Sequence, residues 1–110
     1  MEFIFKNKDL EKIFLDKRAL THKYGPRMAD LFHQRLAEIV AFENLEQLKS
    51  LPAPRLHALK GNRKGQFSLD LVHPLRLIIE SAVNLPLKTA AANWSKITKV
   101  YIIEIADTHE

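Results

Sequence analysis

Cysteine is absent from the chain, which excludes a disulfide framework, a thiolate metal site and a cysteine nucleophile, and permits a reducing compartment. No apolar stretch approaches the roughly 20 residues that span a bilayer. The opening Met1-Glu2-Phe3-Ile4-Phe5-Lys6 is too short and too charged for a signal peptide. The expectation is a cytoplasmic protein with no membrane partner. Internal repeats and low-complexity tracts are also missing, and 110 residues suffice for one hydrophobic core, so a single domain over 1–110 is expected.

The common signatures of catalytic sites are equally scarce. None of His22, His33, His57, His73 and His109 has a second histidine at the i, i+3 or i, i+4 spacing of a helical zinc pair, and no His-Glu-x-x-His occurs. Neither a metal nor another cofactor is expected. The loop 61–65 lacks the Gly-x-x-x-x-Gly-Lys-Ser/Thr pattern and no helix pattern follows it, so it is not a phosphate cradle. No serine stands in a strand-to-helix elbow, which argues against covalent acyl chemistry.

What is present is an uneven charge. Residues 1–51 hold nine cations against eight carboxylates, residues 52–76 five against one, and residues 77–110 three against four. The excess therefore sits in the middle quarter, in Arg55, Lys60, Arg63, Lys64 and Arg76, where a phosphate backbone would be drawn.

Hydrophobic spacing gives the order of elements. Phe3 and Phe5 alternate with polar residues as in a short strand. Leu10, Ile13, Phe14 and Lys17 follow at helical spacing, in a helix that opens at Asp9 and ends near Tyr24-Gly25. Pro26 suits the first turn of a second helix, with Met28, Leu31, Phe32, Leu36, Ile39 and Val40 as its apolar stripe. Asn44 and Gln47 resemble a capping box for a short turn over 45–50. Beyond Pro54 the texture changes to alternation, with strands expected over 56–59, 67–72, 75–80 and 99–106. A hairpin loop over 61–65, a His73-Pro74 turn and a long connection anchored by Trp94 join them. The predicted fold is α+β: an N-terminal strand, two helices plus a short helical turn, then a four-strand antiparallel run forming one sheet with the helices on one face.

The residues left over for chemistry are cations and imidazoles on strands. His57, Lys60, Arg63 and Arg76, with Asp107 and His109 in the tail, form a set that suits RNA cleavage. There the substrate's own 2′-hydroxyl is the nucleophile, so the protein need supply only a base, an acid and fixed cations. Imidazole suits the first two roles, lysine and arginine the third. Each residue also has a plainer reading. His57 alone is more often a partly buried strand histidine, His73 a turn residue, His22 and His33 solvated positions, and Lys60, Arg63 and Lys64 a soluble loop. Arg76 is harder to dismiss, because a guanidinium among Leu75, Leu77, Ile78 and Ile79 needs an anionic partner.

The stretch Arg55-Leu56-His57-Ala58-Leu59-Lys60-Gly61-Asn62-Arg63-Lys64-Gly65-Gln66-Phe67-Ser68-Leu69, followed by Arg76-Leu77-Ile78-Ile79, resembles the central hairpin of HigB toxins, the plasmid maintenance killer family of the RelE/ParE superfamily. The ending from Trp94 to His109 is similar to that family's last strand and tail. The resemblance implies the RelE/ParE fold and metal-independent cleavage of mRNA on the translating ribosome, with contact to the small subunit. It further implies neutralisation by a HigA-type helix-turn-helix antitoxin, with operator DNA bound only through the toxin–antitoxin complex. Matched position by position, His57, Lys60, Arg76, Asp107 and His109 correspond to the family's catalytic residues, while Arg55, Arg63, Lys64 and Thr108 fall where RNA would be contacted. Thr108 departs from the family's Asp-Tyr-His tail, in which an aromatic can stack on a base. Two alternatives share the implied fold: a ParE-like toxin that binds gyrase without cutting RNA, and an inactive corepressor subunit.

Overall fold

The architecture, taken from a computed structural model, is described over residues 1–84 and 93–108. Strand β1 covers Glu2–Phe5, and four helices follow: α1 at Lys8–Leu15, α2 at Lys17–Tyr24, α3 at Pro26–Ala41 and α4 at Leu45–Lys49. The remaining strands are β2 at His57–Ala58, β3 at Gln66–Asp70, β4 at Leu75–Ser81 and β5 at Lys99–Asp107. No helix among the described residues is long and apolar enough to cross a membrane.

The single helix expected between Asp9 and Tyr24 is instead two, and Asp16 is the reason. Its backbone is extended (φ −118°, ψ 96°), its N–H closes α1 on the carbonyls of Lys12 and Ile13, and its carboxylate accepts the backbone N–H groups of Arg18 and Ala19 to open α2. An aspartate that satisfies orphan donors at a helix start contributes about 1 kcal/mol, enough to fix a break in a run whose apolar period continues through it. Gly25 ends α2 at φ 90°, a value costly for any residue with a Cβ, and Pro26 begins α3 directly after it. The Asn44 cap on α4 forms as expected, but Gln47 reaches back to the N–H of Glu43, one residue before the cap.

All five strands belong to one sheet in the order β1-β5-β4-β3-β2. The run from β2 to β5 is antiparallel, as predicted from the alternation. The sheet as a whole is mixed, because β1 lies parallel to β5 at its edge, pairing Phe3 with Val100 and Phe5 with Ile102. That join closes the first strand onto the last and encloses the helices between them in sequence.

One face of the sheet carries the core. Phe67, Leu69, Leu77, Ile79, Val100 and Ile102 pack against Leu10, Leu20, Met28, Phe32, Leu36, Ile39, Leu45 and Leu48 from the four helices. Trp94 does anchor the connection into β5, meeting Phe67 edge-on at 5.1 Å under the ammonium of Lys49. Two expectations for α3 fail. Val40, assigned to the apolar stripe, is 58% exposed, while its neighbour Ile39 is fully buried. His33, assigned to solvent, lies half-buried against Phe14 at 4.8 Å between ring centres.

A basic pocket on the outer face of the sheet

Strand alternation sends every second residue to the face opposite the helices. The register places His57 of β2 beside Ser68 of β3 and Ser68 beside Ile78 of β4, with Asp70 of β3 beside Arg76 of β4 in the next outward-facing row. Arg76 in turn lies opposite Ala106 of β5, so Thr108, two residues further, emerges on the same side. The result is a concave pocket of about 420 Å³ lined by Arg55, Leu56, His57, Leu59, Ser68, Asp70, Arg76 and Thr108.

Arg76 is the hub of this pocket. Its Nη1 donates to the hydroxyl of Thr108 at 3.1 Å and to the Thr108 carbonyl at 3.5 Å, and its Nε lies 3.4 Å from Oδ1 of Asp70. The anionic partner that a strand guanidinium requires is therefore Asp70. Oδ2 of the same carboxylate lies 3.4 Å from Nε of Arg55. Arg55 itself sits at φ 48°, a left-handed backbone sparsely populated by residues other than glycine, in a turn closed by its N–H on the Pro52 carbonyl.

Beneath the pocket, Arg35 of α3 is nearly fully buried. Its Nε donates to the Asp70 carbonyl at 2.7 Å, its Nη1 to Glu38 at 2.9 Å and its Nη2 to the Ala53 carbonyl at 3.4 Å. The Asp70 N–H also donates to the Pro54 carbonyl at 2.7 Å. The wall carrying Arg55 and the end of β3 are thus pinned to the helical layer.

Of the residues singled out in the sequence, the fold brings Arg55, His57, Arg76 and Thr108 to one pocket. Lys60 and Lys64 are exposed on the loop between β2 and β3, outside the pocket lining. Arg63 is turned to Glu104 of β5 and to Gln66. Asp107 is exposed and opposite Leu75, one step out of phase with Arg76 and Thr108 on the strand. His109 lies outside the described residues. Among the described residues no group of three or more histidines and carboxylates is placed to hold a metal ion.

Sequence reasoning missed Asp70 and Arg35. Asp70 was visible as the only carboxylate between residues 52 and 76, and Arg35 as a charge on the buried stripe of α3, between Phe32 and Leu36. Compared with models of protein families and with curated protein sequences, the chain matches none.

Proposed function

We propose that this pocket binds one phosphodiester of an RNA strand and that the chain is the toxin of a type II toxin–antitoxin pair, an endoribonuclease of RelE/ParE type. The observation that carries the reading is the sharing of one pocket by the His57 imidazole and the Arg76 guanidinium. They stand two strands apart and two residues out of register, roughly 12 Å, which leaves room for a phosphate between their side chains.

In the proposed reaction a base removes the proton of the 2′-hydroxyl and the 2′-oxygen attacks phosphorus. The bond to the 5′-oxygen breaks, and an acid protonates that leaving oxygen. The products are a 2′,3′-cyclic phosphate and a free 5′-hydroxyl. His57 takes one of the two proton-transfer roles, and Arg76 stabilises the charge gathering on the non-bridging oxygens. The second proton-transfer role is assigned to His109 on the sequence pattern alone, with Asp107 tuning a histidine and Lys60 adding positive charge. The substrate is mRNA on the translating ribosome, and a helix-turn-helix antitoxin silences the enzyme and carries the complex to operator DNA.

The test is incubation of the purified chain with RNA, free and on translating ribosomes, in excess chelator, followed by mapping of both new ends. Cyclic-phosphate and 5′-hydroxyl ends that vanish in His57→Ala and Arg76→Ala are expected. Intact RNA in both settings, or cleavage undiminished in both variants, overturns the proposal. Loss of DNA supercoiling when the purified chain is added to purified gyrase would instead assign the chain to the gyrase-binding class.

A further inference from the structure

Asp70 sits as one carboxylate between two guanidiniums, Oδ1 toward Arg76 and Oδ2 toward Arg55. Both contacts are made to Nε, on the inner edge of each guanidinium. Nη1 of Arg76 is taken by Thr108. Structural duties at this position belong to the backbone of Asp70, whose carbonyl receives Arg35 and whose N–H binds the Pro54 carbonyl. The carboxylate is not needed for either bond. Its two ion pairs are only partly buried, Arg55 being largely exposed, so stability alone is a weak reason to hold an acid here.

The charge it leaves is more telling. Two guanidiniums and one carboxylate line the pocket, together with a single imidazole. The fixed groups therefore sum to one positive charge, the complement of a phosphodiester, which carries one negative charge. A phosphomonoester carries close to two above its second pKa near 6, and for it both the attraction of the arginines and the repulsion of Asp70 are doubled. The carboxylate therefore lowers a dianion's affinity by about the square of the factor by which it lowers a monoanion's. We infer that Asp70 is the charge-selectivity residue of this pocket, holding down the affinity for terminal phosphates and free phosphate relative to that for internal phosphodiesters. The inference rests on the reading of the pocket as a phosphodiester site. It places Asp70 outside the reacting atoms, as a residue acting through the two arginines it holds and through its own field on the ligand.

The consequence is quantitative. Removing one negative charge about 6 Å from the ligand in a half-solvated site is worth about fivefold in affinity for a monoanion and about the square of that factor for a dianion. The experiment titrates wild type, Asp70→Asn and Asp70→Glu with dimethyl phosphate and with methyl phosphate at pH 8, following the arginine Nε–Hε resonances by NMR. Asp70→Asn is expected to bind dimethyl phosphate about fivefold more tightly and methyl phosphate about twenty-fivefold more tightly. Asp70→Glu, with the charge restored, keeps the wild-type ratio. A purely structural carboxylate would make both probes bind more weakly in Asp70→Asn. That result, equal gains for the two probes, or no binding of either probe by the wild type overturns the inference. Because the readout is binding of small anions, the inference and the nuclease reading fail separately. Selectivity without RNA cleavage would remove the nuclease alone, and RNA cleavage without the changed ratio would remove the role of Asp70 alone.

Discussion

The hydroxyl of Thr108 accepts a hydrogen bond from Nη1 of Arg76 at 3.1 Å, which ties the end of β5 to the centre of the pocket. Thr108 is itself buried, so the bond is made in a site where water competes poorly. Thr108→Val keeps the shape and β-branching but removes the acceptor, leaving Arg76 with the carbonyl of the same residue. Expected are a loss of about 1 kcal/mol in urea unfolding and a roughly tenfold fall in RNA cleavage at saturating substrate as the guanidinium loses its alignment. Thr108→Ser should retain most of both. Unfolding and cleavage equal to wild type in Thr108→Val would show that the contact does nothing.

Arg35 is nearly fully buried and makes three hydrogen bonds across the core boundary and within its helix. It joins Glu38 on its own helix to two backbone carbonyls, of Asp70 and Ala53, on the other side of the core boundary. Arg35→Ala strands the half-buried carboxylate of Glu38 and both carbonyls, and is expected to cost about 3–5 kcal/mol. The double change Arg35→Met with Glu38→Leu removes donor and acceptor together and should cost clearly less, because no charge is left alone. Denaturant midpoints of the three proteins decide the matter. A single variant no worse than the double would mean that the pair contributes packing only.

These two positions mark where the sequence was readable and where it was not. The stripe through Met28, Phe32, Leu36 and Ile39 is a local period, and so are the alternations around Phe67, Leu77 and Ile102, so the helix and the antiparallel strands could be placed from spacing alone. The parallel pairing of β1 with β5 joins residues some hundred positions apart, and no local pattern encodes it. Asp16 broke a helix whose apolar spacing ran on unchanged, because a cap acts through backbone donors that hydrophobic periodicity does not report. The pocket was half legible. Its cations stood out by charge, but Asp70 did not, since its importance comes from facing two arginines at once, and that depends on register and on the turn that carries Arg55.

His33 offers a stability gain. Its Nε2 is buried with no hydrogen-bond partner among the described residues, and its ring packs against Phe14 and Phe32. A buried polar atom left unpaired costs about 1–3 kcal/mol relative to an apolar group of similar shape. His33→Leu, on a face already made of phenylalanines, should therefore raise the unfolding free energy by about 1 kcal/mol, measured by urea denaturation at neutral pH. The residue lies on the helical side of the sheet, away from the pocket, so phosphate binding should not change. A lower midpoint would mean that the imidazole is satisfied by a water or a partner and belongs where it is.

Arg55 tests whether the basic wall reads the phosphate backbone. Its side chain is largely exposed, and its backbone at φ 48° is tolerated by asparagine better than by alanine, so Arg55→Asn removes the charge without adding strain. A cation that contacts one phosphate of a single strand contributes about 0.7 to the slope of log affinity against log salt concentration. The variant should lose that increment, with affinity lowered by a similar factor for RNAs of different sequence, because a backbone contact carries no base information. Arg18→Asn, an equally simple loss of charge on α2 outside the pocket, should leave the slope unchanged. Equal losses in the two variants would mean that RNA feels only the overall field of a basic protein, and the pocket would lose its claim to the phosphate.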